Sequence, residues 1–362
     1  MSNIKLSIIV PIFGVEQYLR KCVDSLLAQD LSSSDYEIIL VDDESPDACP
    51  QICDEYARMS QESRVKSQEL PCIRVIHRKN GGLSAARNSG IVIAQGGYLM
   101  FVDSDDYIEP NVLGRLIEQV ERDNLDVLRY DFRNVNDKYE EFHPNKDPKR
   151  DVDFSESVVD GETFLNERLG PGCYAWQFIL HRDLIYINQQ SAISNQNSEN
   201  NTSNIIHITT EKSCCLFTPG IYFEDTEWTP RMLLRANRVA STPMVVYNYL
   251  WRTGSITLPT DPIKRKKVLK DKIRLIRCFK EQSKLVKDAI WFTWMTSSTA
   301  MGVLGMLAKM PSSERKKYLE ELKSLHIFPL YTKKEKMLSH KIKTIMANIS
   351  PSLYCFIMSL RK

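Results

Sequence analysis

The run Asp103-Ser104-Asp105-Asp106 follows the apolar stretch Tyr98–Val102 and is the most chemically loaded segment of the chain. Asp103 and Asp105 sit on alternate residues, so in extended backbone both carboxylates point to one side. Two such charges repel unless a cation lies between them. Hard oxygen donors with open positions suit Mg2+ or Mn2+ together with a diphosphate. The ion would neutralise charge on a leaving nucleoside diphosphate. A solvated Asp-rich turn is the competing reading, and the apolar run in front of it favours a strand end.

Three other segments carry polar groups just beyond apolar runs. Asn80 to Asn88 reads N-G-G-L-S-A-A-R-N. Paired glycines before a helix, Gly81 and Gly82, let backbone amides approach phosphate oxygens. Arg87 adds a charge-assisted donor. Asp42-Asp43 follows Glu37–Val41 and either accepts hydrogen bonds from a base or ribose, or caps the next helix. Pro11-Ile12-Phe13-Gly14 closes the first apolar run.

These groups need a scaffold, and the apolar pattern supplies one. Leu6–Ile12 is continuously apolar, as in a strand buried on both faces. Leu19, Cys22/Val23 and Leu26 then recur at helical spacing. Glu37–Val41 and Ile73–Ile76 read as further short strands. A helix is expected from Ser84 with a hydroxyl N-cap, a fourth strand at Tyr98–Val102, and a helix from Pro110 to Arg122 with Val112, Leu116 and Val120 on one face. Asp126–Phe132 reads as a fifth strand. Repeated βα units predict a doubly wound, mostly parallel sheet with flanking helices, and ligands then bind beyond the carboxyl ends of its strands. All four polar segments should converge in one crevice there.

Composition bounds the rest. With 362 residues, 43% hydrophobic and 26% charged, the chain builds an ordinary globular core. Neither a signal-peptide pattern nor a spanning apolar run is read. The nine cysteines are irregularly spaced, unlike paired zinc ligands, so reduced thiols in a cytoplasmic protein are expected. The net charge of +2 hides an asymmetry: residues 261–362 carry 23 Lys and Arg against 8 Asp and Glu, and residues 1–260 carry 25 against 38. One end therefore suits an anionic surface, or is simply a solvated basic face. Nucleic acid is not the expected partner, because the first 260 residues are acidic and no basic–aromatic sheet motif appears.

Taken together, S-I-I-V-P-I-F-G-V-E-Q-Y-L, E-I-I-L-V-D-D-E-S, N-G-G-L-S-A-A-R-N-S-G and F-V-D-S-D-D resemble the family-two glycosyltransferases of the GT-A fold, bacterial polysaccharide or capsule type, over roughly residues 4–135. A weaker match continues through Ala175-Trp176, Phe223-Glu224-Asp225 and Tyr249 to Ile256. The resemblance implies roles. Pro11, Phe13, Glu16, Asn80, Gly82, Arg87, Asp103 and Ser104 would bind the nucleotide, with Asp42 or Asp43 reading the base. Asp103 and Asp105 would hold Mg2+ or Mn2+. Asp225 would be the catalytic base, with an N-cap role for its helix as the alternative. Trp176 and Glu224 would meet the acceptor, and Arg252 and Ser255 would close over the diphosphate. It also implies in-line transfer with inversion from a nucleotide sugar, most commonly a UDP-sugar, to a glycan or lipid-linked acceptor. Two positions depart from the pattern: Gly14 stands where relatives carry Asn, and Glu44 where they carry Gly. The turn after the second strand is therefore expected to differ. A sugar nucleotidyltransferase would need a lysine-rich glycine signature, which Ser7–Gly14 lacks. An inactive nucleotide-sugar-binding module is disfavoured by the intact Asp103, Asp105 and Asp225.

The expected organisation is a GT-A catalytic domain over 1–260, with a nucleotide-sugar half (1–135) and an acceptor half (136–260) carrying a polar loop near 189–204. A helical basic region follows over 261–362. There, Leu338, Ile342, Ile345 and Ile349 share a helical face flanked by Lys334, His340, Lys341 and Lys343, and Pro351 breaks the helix before Leu353–Leu360. Such a stripe either lies on an anionic membrane, placing the protein peripherally on the inner face, or packs against the catalytic domain.

Overall fold

A computed structural model describes residues 4–65, 70–142, 154–186, 215–252, 261–331 and 338–360. The expected 189–204 loop, Ser255 and Lys334 lie outside the described residues.

The first half follows the apolar pattern. Strand β1 (Leu6–Ile12) is buried along its whole length and is followed by helix α1 (Glu16–Leu27). Strand β2 (Tyr36–Asp42) precedes α2 (Cys49–Val65), a helix the sequence reading did not place. Strand β3 (Cys72–His77) then leads to α3 (Leu83–Ile93), and β4 (Tyr98–Phe101) to a two-residue strand β5 (Tyr107–Ile108). Helix α4 (Leu113–Arg122) buries Leu113, Leu116, Ile117 and Val120, each side chain contributing about 1.5–3 kcal/mol. It starts later than the expected Pro110. Strand β6 (Val127–Val135) follows.

Helix α3 also starts differently from expectation. Its N-cap is Gly82, at φ 82°, and Ser84 is buried in the first turn. Only glycine takes that left-handed φ without strain. Further along α3, a Cβ on Gly90 would lie 2.4 Å from Ile9 Cγ2, so glycine is what lets this helix press against β1.

The rest of the sheet comes from distant chain. Helix α5 (Gly161–Glu167), strand β7 (Phe178–His181), helix α6 (Glu224–Leu233) and strand β8 (Val239–Leu250) complete the sheet region. The strand order is β3-β2-β1-β4-β7-β6-β8-β5. Strands β3, β2, β1 and β4 are parallel, as are β6 and β8. Strand β7 wedges between β4 and β6 and runs antiparallel to both, and β5 pairs antiparallel with β8. The sheet is thus mostly parallel, but the fifth expected strand does not simply extend the βα series.

Among the described residues five α-helices follow: α7 (Pro262–Gln282), α8 (Ile290–Ala308), α9 (Ser312–Ser324), α10 (Leu338–Ile349) and α11 (Pro351–Ser359). Asp261 caps α7 by accepting from the amides of Ile263 and Lys264. Leu275 and Phe279 of α7, with Trp291 and Phe292 of α8, join the core behind the sheet. Other residues of α7 and α8 form a separate core with α9, α10 and α11. The described cysteines are free thiols. Among the described residues no helix is long and apolar enough to cross a membrane.

Candidate active site

The crevice lies beyond the carboxyl ends of β1, β2, β3 and β4, where the polar segments were expected to meet. Its centre is Arg87 on α3, which is fully buried. One guanidinium nitrogen, Nη2, donates to Asp103 Oδ1 at 2.8 Å. The other, Nη1, donates to Glu224 Oε1 at 3.2 Å and to Asp225 Oδ1. Burial works against the guanidinium charge, and the charges of Asp225, Asp103 and Glu224 outweigh it, so Arg87 is held firmly protonated. The sequence reading put Arg87 on the diphosphate. The structure puts it beneath the crevice, joining the aspartate after β4 to the acidic pair of α6.

Glu224 and Asp225 occupy the first turn of α6, where the helix dipole favours negative charge. The N-cap is Phe223 in the left-handed region at φ 64°, so Asp225 is not the cap. Asp225 Oδ2 accepts from the amide of Ala175 at 3.0 Å. Burial raises the Asp225 carboxyl above its usual range, and Arg87 pulls against that rise. Burial beside Asp225 pushes Glu224 up to about 7.

The run after β4 does not stay extended. The amide of Asp106 donates to Asp103 O at 3.0 Å, closing a turn. Asp103 and Asp105 therefore do not share one face of a strand. Asp103 turns toward Arg87, and Asp105 accepts from Arg252 Nε at 2.8 Å. Arg252, just past β8, also lies 5.2 Å from the Tyr18 ring centroid. Burial and the charge of Asp103 raise Asp105, a condition that a cation relieves. Asp105, crowded by the charge of Asp103, would suit a divalent ion whose remaining positions go to ligand oxygens. Among the described residues no group of three or more His, Cys, Asp and Glu is arranged to hold a metal ion.

The sequence reading gave Asp106 no role. It is buried, and it accepts from Tyr247 Oη at 2.8 Å and from the Leu250 amide at 2.7 Å. Tyr247 Oη in turn accepts from the Asp103 amide at 3.0 Å. Burial raises Asp106 well above the usual carboxylate range. Asp106 thus fixes the end of β8, and with it the approach of Arg252. Position in an Asp run was the only sequence signal for it, because Tyr247 comes from 141 residues away.

At β2, Asp43 fills the Gly81–Gly82 turn. Its Oδ2 accepts from the Gly82 amide at 2.7 Å and the Gly81 amide at 3.2 Å, and Arg78 pairs with Oδ1. The amides expected to cradle a phosphate are thus capped by the chain's own carboxylate. Asp42 carries one partner on each oxygen, the Ser45 amide at 3.0 Å and His77 Nδ1 at 3.1 Å. Glu44 adopts φ 63°, a left-handed backbone that favours glycine. Its carboxylate accepts from the Asn80 amide at 3.0 Å.

The remaining expected residues divide. Phe13 is 54% exposed, whereas Pro11 and Ser104 are buried. Glu16 turns to α2, accepting from the Ala48 amide at 2.8 Å. Trp176, expected at the acceptor, is 2% exposed. It stacks between Tyr174 and Tyr247, with ring centroids 4.8 and 4.2 Å away, so it supports the pocket from behind. The sequence offered no signal for that stack, which pairs β8 with the turn before β7.

Residues 7–185 match the sequence model described as Glycosyl transferase family 2. The chain is 47% identical over 123 residues to the uncharacterized glycosyltransferase EpsJ of Bacillus subtilis, covering 34% of this chain and 32% of that protein. It is 33% identical over 155 residues to the poly(ribitol-phosphate) beta-glucosyltransferase of Bacillus spizizenii, covering 43% of this chain and 23% of that protein. The chain thus spans a third or less of the length of these relatives. The crystal structure of Staphylococcus aureus TarS 1–349 in complex with UDP-GlcNAc superposes with a TM-score of 0.64 at 18% identity, covering 99% of this chain and 89% of that one. The two share the GT-A fold.

Proposed function

We propose, from the membership of residues 7–185 in glycosyl transferase family 2, that the chain is an inverting, metal-dependent glycosyltransferase. It moves a sugar from a nucleotide-diphosphate donor, with UDP as the nucleotide, to an acceptor hydroxyl. The acceptor is a lipid-linked glycan of cell-surface polysaccharide synthesis, met at the inner face of the membrane. One observation carries the reading: Arg87 ties Asp103, at the end of β4, to the Glu224–Asp225 pair of α6. A donor-binding carboxylate and a candidate base are thereby held in one crevice.

Phe13 lines the mouth of the nucleotide pocket. Asp42, with a single partner on each oxygen, keeps lone pairs for the base or ribose. Asp43, saturated by Arg78 and two amides, holds the turn. Asp103 and Asp105 would hold an Mg2+ or Mn2+ ion, which would supply neutralisation of the diphosphate charge. Arg252 exchanges Asp105 for the diphosphate when donor arrives, together with Ser255. Asp225 takes the proton of the acceptor hydroxyl as the new bond forms. Burial makes it a stronger base, and Arg87 with the Ala175 amide fixes its orientation. Attack from the face opposite the diphosphate converts an α-linked donor into a β-glycoside. Support for a polymer acceptor comes from the Bacillus spizizenii relative, whose name specifies a poly(ribitol-phosphate) substrate.

The test is a panel of nucleotide sugars with Mn2+, read by release of nucleoside diphosphate. One donor should turn over well above the rest. Asp225→Asn should lower acceptor-dependent transfer by about 10^2–10^4-fold while the melting temperature stays near that of the parent. Full transfer by this variant would assign the base elsewhere, and a panel without turnover would remove the enzyme reading.

A further inference from the structure

The last two helices turn an apolar face to solvent. On α10, Leu338, Ile342, Ile345 and Ile349 are 48–74% exposed. Their spacing puts them on one side of the helix. Thr344 and Ala347, on the opposite side, are the buried residues of α10. The second reading of this stripe, that it packs against the catalytic domain, therefore fails: the packed face is the other one.

The pattern continues past the proline. Ser350 caps α11, accepting from the Leu353 amide at 3.2 Å. Leu353, Phe356 and Leu360 are 47–68% exposed. Tyr354 and Cys355 belong to the same core as Ala347, and Cys355 Sγ donates to Leu304 O of α8 at 3.5 Å. Both helices thus show their inner sides to one core and their outer sides to solvent.

Charge decides what covers this face. Residues 338–360 contain no Asp or Glu, and Lys341 and Lys343 flank the stripe. The sequence on either side adds Lys333, Lys334, Lys336, Arg361 and Lys362 against Glu335. Faces that bind protein are depleted in lysine. A helix lying at the headgroup level of an anionic bilayer instead carries an apolar stripe edged by lysines, whose stems reach along it to the phosphates. Among the described residues no helix is long and apolar enough to cross a membrane, and a lipid contact of this face would be a surface contact.

We propose that α10 and α11 dock on an anionic lipid surface, with Leu338, Ile342, Ile345, Ile349, Leu353 and Phe356 at the headgroup–acyl boundary. The docking does not depend on the sugar-transfer reading, and it is measured with no donor present. The full chain is mixed with phosphatidylcholine vesicles, with and without phosphatidylglycerol, and separated by flotation. The parent should float with the anionic vesicles at low salt and be released as salt rises, because the lysine contribution is screened. Ile342→Ser/Ile345→Ser/Ile349→Ser, at exposed positions, should weaken that binding by about ten-fold or more. A Leu353→Trp variant should show blue-shifted emission with anionic vesicles. A parent that stays unbound at low salt, a triple variant that binds equally well, or an unshifted Leu353→Trp emission overturns the proposal. So does a parent dimer in solution that the triple substitution converts to monomer, since the face would then join two copies of the chain.

Discussion

Two arginines grip two of the three aspartates after β4, and they do so in opposite settings. Arg87 is fully buried and engages Asp103, Glu224 and Asp225. Arg252 keeps 24% of its side chain exposed and engages Asp105 with its guanidinium over Tyr18. A buried cation among buried carboxylates cannot leave without stranding them. A partly solvated pair at the end of a strand exchanges partners at little cost. The contrast separates a fixed electrostatic hub, built into α3, from a movable clamp on the rim.

The hub should break hardest. Arg87→Met strands three acidic side chains and should destabilise the fold by about 3–5 kcal/mol, measured by denaturant unfolding, with transfer activity lost alongside. Arg87→Lys keeps the charge without the fork and should recover part of the stability. A loss below about 1 kcal/mol for Arg87→Met would put the two arginines in the same class and end the comparison.

The acidic side of the hub gives a pH signature. Glu224 is held at about 7 in the fold, above its ordinary 4.5. Below the unfolded value both states are protonated, and burial of the neutral acid carries no charge penalty. Between these values the unfolded chain has released its proton and the folded chain keeps it, so stability falls as pH rises. Above about 7 the loss is complete. Glu224→Gln stays neutral throughout. Relative to the parent it should gain about 3 kcal/mol between pH 4 and pH 8, read from paired unfolding curves. A difference that stays flat across this range would show that Arg87 compensates Glu224 fully.

The clamp should give the smallest structural effect. Arg252→Ala should change stability by less than about 1 kcal/mol and raise the donor KM about ten-fold through loss of a charge-assisted contact. Should it unfold the protein as Arg87→Met does, Arg252 would be part of the hub rather than a clamp.

The legible parts of the chain share one property: their signal is local. The apolar run of β1, interrupted by Ser7, and the helical spacing of Leu19, Cys22, Val23 and Leu26 state their own burial. Helix α2 was missed although Ile52, Cys53 and Tyr56 are buried at helical spacing, because Gln, Glu, Arg and Ser dilute its apolar face. Strand β7 was missed because four residues state no period, and its place between β4 and β6 is set by pairing with chain 81 residues away at Leu99↔Leu180.

The sequence by itself determined that Asp42, Asp43, Asp103 and Asp105 stand at strand ends and that the last helices carry an apolar stripe, since both follow from residue order and helical or strand period. Only the tertiary structure decided the partners. It turned Asp43 onto the Gly81 and Gly82 amides, sank Arg87 beneath the crevice, and showed which side of α10 is covered. Those outcomes depend on which groups arrive from distant elements to share a desolvated volume, and local period carries no record of that.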